Sequence, residues 1–166
     1  MHTAYFAAGC FWGVEACFQQ QTGVKTTSVG YMGGKIENPS YRQVSTGQTG
    51  HAEAVQIEYI PNQTSFEKLA KTFFELHDPA QTNGQGRNVG SQYRSAIFYT
   101  SKEQKQTAEK LIKQLTKQGY DVTTEVVKAG EFWPAESCHQ DYYRKQGMSP
   151  VCQAGSPKFD QQQPAS

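Results

Sequence analysis

Two places in this chain switch from the two-residue period of a β-strand to the 3.6-residue period of an α-helix, and this alternation limits the fold more than any other feature. Residues 51–60 alternate as a strand does, and residues 66–77 then carry apolar side chains at helical spacing. Residues 92–100 and the long segment that ends at Gly119 repeat the change. A capping box marks each helix start, at Thr64 with Glu67 and at Thr100 with Glu103. Strands that alternate with helices predict helices packed on a mixed sheet.

The remaining segments complete a domain of the α+β class. We expect further strands at residues 5–8, 24–32 and 122–127, a first helix at 11–20, and a last helix that Pro134 opens and that runs to about Gln146. The glycine-rich stretches 33–39 and 81–90 predict loops. Together these elements predict a two-layer sandwich in one domain, residues 1–147. Residues 148–166 hold glycine, proline and few apolar side chains, which predicts a long, irregular and mobile C-terminal tail.

Composition excludes several classes of partner. The 166 residues carry a formal net charge of +1, spread along the whole length, so we expect no nucleic-acid partner and no anionic membrane surface. The sequence has neither a membrane-length apolar run nor a leader-like start, and we therefore expect a cytoplasmic protein. No long apolar stripe calls for an obligate dimer, so we expect a monomer.

Four cysteines limit the redox and metal chemistry. They are Cys10, Cys17, Cys138 and Cys152, and no two of them form a Cys-x-x-Cys pair. Without a secretion signal, reduced or catalytic thiols are favoured over structural disulfides. The spacing of a structural zinc site is missing, so we predict no metal.

Cys10 stands between a short strand-like run and an amphipathic segment. This places the thiol at the N-terminus of the first helix, where unpaired N–H groups and the helix dipole favour an anion and should ease thiolate formation. The competing interpretation is a small buried core residue, which is the commoner fate of a free cysteine. Cys17 lies two helical turns further on the same face, and there we expect simple packing.

Glu53 shares the apolar side of strand 51–60 with Val55, Ile57 and Tyr59. Burial penalises the ionised form of a carboxyl group, so the pattern predicts a raised pKa and a candidate acid. The alternative is that Glu53 lies at a strand end and reaches solvent. For His51, two residues earlier, we favour an ordinary hydrogen-bonded histidine over a second acid–base group.

Several sequence blocks together resemble the class A peptide methionine sulfoxide reductases, from Tyr5 to about Cys152. The blocks are Gly9-Cys10-Phe11-Trp12-Gly13, Gly30-Tyr31 with Gly34, Asn38-Pro39-Ser40-Tyr41, Thr49-Gly50-His51-Ala52-Glu53-Ala54-Val55, His77-Asp78-Pro79 and Gly90-Ser91-Gln92-Tyr93-Arg94-Ser95. The resemblance implies a ferredoxin-like core and a cofactor-free, thiol-dependent reduction of methionine S-sulfoxide, free or within proteins. It also implies a role in protein repair under oxidative stress.

The resemblance implies a role for each matched site residue. Cys10 is the nucleophile that attacks the sulfoxide sulfur and becomes a sulfenic acid, and Glu53 is the acid. Tyr41 and Tyr93, which from spacing alone are ordinary aromatic residues, help to bind the sulfoxide oxygen. Phe11 and Trp12 form the pocket wall for the substrate methyl group. Asn88 stands where many relatives have aspartate, and we keep it as a contributor to substrate binding.

The resemblance further implies how the oxidised nucleophile is recycled. Cys152, in the tail, forms a disulfide with Cys10, and thioredoxin reduces that bond. Cys138, where tyrosine is more usual, is an alternative resolving thiol. We prefer Cys152, because Cys138 belongs to a predicted helix of fixed geometry, whereas a loop can bring two α-carbons within disulfide range.

Two other functions stay open on the residues alone. The first is a cysteine hydrolase in which Cys10 pairs with His51 or His139. The second is a peptide-binding module with an aromatic pocket and no turnover. The hydrolase is the weaker hypothesis, because the strand pattern offers a buried acid where a hydrolase needs a base.

Overall fold

The computed structural model describes residues 2–81, 84–85, 88–152 and 158–159. Within these ranges the strands are β1 His2–Ala8, β2 Val24–Met32, β3 Ala52–Tyr59, β4 Gly84–Gln85, β5 Asn88–Val89, β6 Ser95–Tyr99, β7 Glu125–Lys128 and β8 Trp133–Pro134. The α-helices are α1 Phe11–Gln19, α2 Tyr41–Ser45, α3 Phe66–Glu75, α4 Lys102–Lys117 and α5 Tyr142–Lys145. Single 3-10 turns occur at Ser91–Tyr93 and Ser137–His139.

Six of the strands form one mixed sheet in the order β7-β6-β1-β3-β2-β8. All neighbours are antiparallel except β6 and β7, which run parallel. The strands β1, β2, β3 and β6, with α1 and α3 in the two connections, form a β-α-β-β-α-β unit, which is the ferredoxin-like arrangement. The predicted α+β sandwich with this core is therefore confirmed.

The sheet buries apolar side chains on both faces. On one face α1, α3 and α4 cover a large core of strand residues that includes Phe6, Val55 and Ile57. The other face carries a smaller cluster of mostly small side chains, covered in part by Phe132. Glu53 lies in β3 on the same side as Val55 and Ile57, and it is 1% exposed. The strand period thus placed its carboxyl group correctly.

Both long helices begin one residue later than the capping boxes predict. The N-caps are Ser65 and Ser101, whose hydroxyls accept hydrogen bonds from the N–H groups three residues on, at Lys68 and Gln104. In each case a serine follows the threonine of the predicted box, and either hydroxyl can cap a helix. Sequence pattern alone cannot choose between two adjacent capping residues.

The predicted helix from Pro134 to Gln146 is wrong. Pro134 pairs with β2 as part of β8, and only Tyr142–Lys145 is α-helical. Between them the Gln140 side chain donates to the carbonyl of Val29 and accepts from its N–H, both at 2.8 Å. These bonds satisfy the edge of β2, so the segment follows the sheet edge instead of coiling.

Two strand boundaries also differ from the prediction. Ser91–Tyr93 forms a 3-10 turn, and β6 therefore begins at Ser95. The strand predicted at 122–127 starts only at Glu125, because Thr123 turns its N–H and hydroxyl toward the carbonyl of Pro79. Hydrogen bonds within the turn replace strand pairing in the first case, and hydrogen bonds to Pro79 replace it in the second.

The last described residues, Lys158 and Phe159, dock on the helical layer. Their backbone N–H groups both donate to Glu75, at 3.0 and 3.1 Å, and Phe159 is 5% exposed beside Phe74. The rest of the predicted tail beyond Cys152 lies outside the described residues. Within the described part of the chain, no helix has the length and apolar character needed to cross a bilayer.

Candidate active site

The predicted nucleophile stands at the junction of β1 and α1. Gly9 has φ +103°, a left-handed conformation that glycine adopts without strain, and this turns the chain into the helix. Cys10 follows as the N-cap residue, with extended backbone angles and no side-chain cap bond. Its thiol is free and half-buried. It lines a cavity of about 410 Å³ together with Gly13 and Val14 on the next turns of α1.

The predicted ease of thiolate formation at Cys10 is wrong. Burial raises the pKa of the Cys10 thiol to about 11, and the nearby Glu53 carboxyl adds to the rise. The N–H groups of Trp12 and Gly13 do lower the pKa, as a helix start should, but by less. Desolvation therefore outweighs the helix terminus, and the resting residue is a neutral thiol at pH 7.

Glu53 is the buried acid that the strand pattern predicts. Burial raises the pKa of its carboxyl group to about 7, against a single lowering contribution from the N–H of Phe11. That N–H donates to Oε1 at 3.1 Å. The other oxygen, Oε2, is buried and has no hydrogen-bond partner among the described residues. The carboxyl group is therefore held beside the helix that carries Cys10, protonated about half of the time near neutral pH.

Tyr41 and Tyr93 both face this pair. Burial raises the pKa of Tyr41 to about 12, and Glu53, Tyr93 and Cys10 each add to the rise. The pKa of Tyr93 is raised by burial and by the same carboxyl and thiol, while its contact with Tyr41 lowers it. Tyr41 begins α2 and Tyr93 ends the 3-10 turn before β6, so two distant loops bring both phenols to one place.

An aromatic wall extends from Cys10. Phe11 is fully buried, whereas Trp12 is half-exposed and stacks on Tyr142 with ring centroids 4.0 Å apart. The Trp12 indole N–H donates to Nδ1 of His139 at 3.0 Å, and the His139 ring stacks on Tyr41 at 4.2 Å. The structure thus brings Phe11, Trp12 and Tyr41 together as one apolar surface beside Cys10.

Sequence reasoning missed Glu136, which positions part of the site. Its Oε2 accepts from the N–H of Tyr41 at 3.1 Å, and its Oε1 accepts from the Tyr31 hydroxyl at 3.2 Å. Partial burial raises the pKa of Glu136, but hydrogen bonds from its own N–H, the N–H of Tyr41 and the Tyr31 hydroxyl outweigh this effect. The pKa of Glu136 therefore lies below its usual range. Glu136 lies in an irregular segment, so no periodicity could have identified it.

The cysteines pair differently from the implied scheme. Cys152 is bonded to Cys17, with the two Cα atoms 5.5 Å apart, and Cys10 is left free. Cys17 is 1% exposed, so its predicted burial is correct, but the prediction that it only packs is wrong. Cys138 is a free, exposed thiol in the 3-10 turn Ser137–His139 and not in the helix that we predicted. The Cys10–Cys152 bond stays a prediction for the enzyme after Cys10 has been oxidised by substrate.

The remaining candidates have simpler outcomes. His51 is a buried structural histidine, as predicted: its Nδ1 accepts from the N–H of Gly34 at 3.0 Å, and its Nε2 contacts the carbonyl of Ile36 at 2.6 Å. The side chain of Asn88 lies outside the described part of the structure. Among the described residues, no group of three or more histidine, cysteine or acidic side chains could hold a metal.

The fold and the site together define a class: an α+β domain with a free cysteine thiol close to a buried carboxyl group and two phenols. Comparison with known proteins extends this result. Residues 2–165 match the family model of the peptide methionine sulfoxide reductases. The peptide methionine sulfoxide reductase MsrA of Nautilia profundicola is 49% identical over 152 residues, which are 92% of this chain and 88% of the relative.

Solved structures agree with the sequence match. Mxr1 of Saccharomyces cerevisiae in its reduced form superposes with a TM-score of 0.83 at 31% identity, over 91% of this chain and 88% of Mxr1. Mxr1 in complex with Trx2 gives a TM-score of 0.59 at 22% identity, over 85% and 84% of the two chains, a likeness of fold alone. This chain belongs to the class A peptide methionine sulfoxide reductases. It is therefore an oxidoreductase that reduces the S epimer of methionine sulfoxide in a thiol-dependent reaction.

Proposed function

We propose that Cys10 carries out the reduction as the nucleophile. Its sulfur attacks the sulfoxide sulfur and forms a transient S–S bond. The oxygen then moves from the substrate sulfur to Cys10 as the S–O and S–S bonds break, so methionine leaves and Cys10 is left as a sulfenic acid. The substrate sulfur is reduced by two electrons, and the Cys10 sulfur is oxidised by two. No metal or organic cofactor takes part in this balance.

The observation that carries the proposal is the buried Glu53 carboxyl group with a pKa near neutrality. The sulfoxide oxygen gains negative charge as the sulfur is attacked, so a proton donor aimed at that oxygen stabilises the transition state. Glu53 Oε2 is buried without a partner among the described residues and supports this role. Protonation also removes the negative charge of Glu53, which otherwise opposes ionisation of Cys10.

The aromatic groups position the substrate in this proposal. The hydroxyls of Tyr41 and Tyr93 donate hydrogen bonds to the sulfoxide oxygen, since their raised pKa values keep both phenols protonated. Phe11 and Trp12 pack against the methyl group of the substrate. Such a site accepts an uncharged sulfoxide, which fits methionine sulfoxide within a peptide.

Recycling in this proposal uses Cys152 as the resolving thiol and thioredoxin as the reductant. A sulfenic acid condenses with a thiol to give a disulfide and water. The relative Mxr1 has been solved in complex with Trx2, which supports a thioredoxin partner here. Residues 1–147 form the catalytic domain, the 148–166 segment delivers Cys152, and the enzyme acts as a monomer. A cytoplasmic location fits this thiol chemistry, because thioredoxin keeps that compartment reducing.

The proposal is tested with a methionine S-sulfoxide peptide and the reduced enzyme. We expect the Cys152→Ser variant to release methionine once and to accumulate a sulfenic acid on Cys10, detected as a dimedone adduct by mass spectrometry. Cys10→Ser should release no methionine, even with dithiothreitol. The peptide that carries the R epimer is the control and should not react.

Two results would contradict this assignment. Methionine release by Cys10→Ser would move the nucleophile to another cysteine. A thioester or acyl adduct on Cys10, with the sulfoxide left intact, would indicate a hydrolase instead.

A further inference from the structure

Three side chains on one face of α1 hold the same short segment of the chain, residues 139–142. Glu15 and Gln19 follow Trp12 at helical spacing, so the repeat of the helix brings all three to one side. Trp12 contacts both ends of the 139–142 segment. Its indole N–H donates to His139 at 3.0 Å, and its ring stacks on Tyr142 with the two planes only 12° apart.

Glu15 binds the middle of that segment. Its Oε1 accepts a hydrogen bond from the Asp141 N–H at 2.9 Å, and its Oε2 accepts from the Thr27 hydroxyl at 2.9 Å. Glu15 is 1% exposed, and burial raises the pKa of its carboxyl group, although these two hydrogen bonds oppose the rise. The proposed reaction does not use this buried carboxyl group. Its two oxygens instead join α1 to β2 and to the 139–142 segment.

Asp141 has an unusual backbone conformation. Its φ is +55°, in the left-handed region that residues with a Cβ rarely adopt. Such a conformation persists only where the surroundings fix it. Two bonds from α1 do so here: Glu15 accepts from the Asp141 N–H, and the Gln19 side-chain amide donates to Asp141 Oδ1 at 2.5 Å. Because Tyr142 is the next residue, the Asp141 backbone angles set the direction in which the Tyr142 ring leaves the chain.

We propose that Glu15 is a positioning residue for the substrate pocket, because its bond to the Asp141 N–H holds the Tyr142 ring flat against Trp12. The inference rests on the proposed function, in which Trp12 packs against the methyl group of the substrate. Trp12 is half-exposed, and an exposed side chain keeps rotamer freedom that the stack on Tyr142 removes. Glu15 therefore fixes one wall of the pocket before the substrate binds.

Loss of the Glu15 bond should weaken substrate binding and leave the chemical step intact. The Trp12 wall meets the methyl group both before and during the attack by Cys10, so it stabilises the bound substrate and the transition state alike. In single turnovers with a methionine S-sulfoxide peptide, we expect Glu15→Ala to raise the half-saturating peptide concentration about fivefold, the effect of losing one buried hydrogen bond. The maximal rate should stay within about twofold of that of the unsubstituted enzyme.

Two variants separate positioning from general stability. Glu15→Gln keeps an oxygen that accepts from the Asp141 N–H, so it should restore the native half-saturating concentration. Thr27→Val removes the other bond of Glu15, on the β2 side. It should lower the free energy of unfolding without raising the half-saturating concentration. A Thr27→Val enzyme that binds the peptide as weakly as Glu15→Ala would show that Glu15 only stabilises the fold.

Fluorescence reports on the wall directly. The chain has two tryptophans, so Trp133→Phe leaves Trp12 as the only one. In that background Glu15→Ala should shift the Trp12 emission to longer wavelength and increase its quenching by acrylamide, because the ring leaves its stack. Gln19→Ala removes the second bond to Asp141 from a half-exposed position, and it keeps the test available if Glu15→Ala does not fold. It should show the same emission change and raise the half-saturating concentration about threefold.

A Tyr142→Leu background tests whether Glu15 acts through that ring. There, Glu15→Ala should raise the half-saturating concentration by less than about twofold, because the ring that Glu15 holds is gone. An undiminished effect in this background would overturn the inference, and so would native peptide binding by Glu15→Ala. If the unsubstituted enzyme released no methionine, the proposed function would fall instead. The Trp12 emission would then still decide whether Glu15 holds the stack.

Discussion

Glu53 shows how a single residue combines a cost in stability with a chemical use. Glu53 is 1% exposed and, among the described residues, its carboxyl group accepts a hydrogen bond from a single N–H, so it ionises with difficulty and burial raises its pKa to about 7. The same desolvation raises the pKa of the Cys10 thiol. In the resting enzyme the thiol is therefore neutral and the carboxyl group is protonated about half of the time near neutral pH, so a proton is available where the sulfoxide oxygen would acquire charge.

We expect Glu53→Gln to keep substantial activity and Glu53→Ala to lose far more. Glutamine still donates a hydrogen bond to the sulfoxide oxygen, whereas alanine removes the donor, a loss of about 100-fold to 1000-fold in kcat. Single-turnover methionine release measures both. In the enzyme with Glu53, kcat/KM should level off as pH rises through about 7, because the acid form of Glu53 is lost while the Cys10 thiolate fraction still rises toward its pKa of about 11. In Glu53→Gln, kcat/KM should keep rising above pH 7; equal losses in the two variants would mean that proton delivery dominates.

Glu53 should also make the fold less stable at alkaline pH. Its pKa is raised from an ordinary 4.5 to about 7, so the folded state binds more protons than the unfolded state between these values. Stability is therefore greatest below pH 4.5 as far as this group is concerned, and it falls as pH rises to 7. Glu53→Gln removes the titration, and we expect it to gain about 2 kcal/mol relative to the native residue between pH 5 and pH 8.

Urea unfolding at the two pH values measures that difference. Glu58 lies on the same strand, is exposed and accepts a hydrogen bond from Thr26, so Glu58→Gln is a matched control that should show no such gain. A pH-independent effect of Glu53→Gln would mean that the native carboxyl group is ionised throughout.

At the scale of elements, α2 is a very short helix that positions the Tyr41 phenol. It spans only Tyr41–Ser45, and the Ser40 hydroxyl accepts from the N–H of Gln43 at 3.1 Å. The Gln43 side chain accepts in return from the N–H of Ser40 at 2.9 Å. So short a helix is unstable by itself, and this capping box, with the Glu136 bond, holds Tyr41 in place.

Ser40→Ala should therefore reduce activity through Tyr41. Losing the cap costs about 1 kcal/mol, and we expect kcat/KM to fall about fivefold. In a Tyr41→Phe background the same substitution should cost less, because the phenol that it positions is already gone. Kinetics of the four enzymes measure this coupling, and Ser65→Ala, which removes the cap of α3, is the control. Equal fold-losses in both backgrounds would place the effect of Ser40 elsewhere.

Periodicity predicted the parts of this fold that regular backbone ladders determine. The bounds of β2, the helical spacing of α3 and the inward side of Glu53 all follow from apolar side chains that repeat with period two or 3.6. The residues that period reasoning missed are held by side-chain bonds to distant backbone. Gln140 bonds to β2, and Glu136 bonds to the start of α2. Such long-range bonds leave no local pattern in the sequence.

The sequence predicted which side chains meet at the site better than it predicted their pKa values. The helix start at Cys10 predicts an easier thiolate, but no sequence pattern measures how deeply the thiol and a second acidic group are buried. The resemblance implied that Cys152 pairs with Cys10, whereas the structure bonds Cys152 to Cys17. Which thiol Cys152 meets depends on the three-dimensional path of the chain, and that path is not local.

At the scale of the whole molecule, the described residues that follow Cys152 are anchored at Phe159. Lys158 and Phe159 both donate to Glu75, and Lys71 lies 5.8 Å from the centre of the Phe159 ring. Six residues of fully extended chain span at most about 20 Å, so this anchor limits how far Cys152 travels. A segment held at both ends keeps its thiol at a higher effective concentration near the cavity than a free tail does.

We expect Phe159→Ala to slow recycling and to leave the first chemical step intact. Releasing the anchor lowers the effective concentration of Cys152, so decay of the Cys10 sulfenic acid and thioredoxin-driven turnover should slow several-fold. The free energy of unfolding should fall by roughly 3 kcal/mol, the lower end of the range for a buried Phe→Ala change. Rapid-quench trapping with dimedone measures the decay, and methionine release in a single turnover measures the first step. Phe159→Leu keeps an apolar anchor and should behave almost as the native residue; sulfenic acid that decays equally fast in Phe159→Ala would show that the anchor does not guide Cys152.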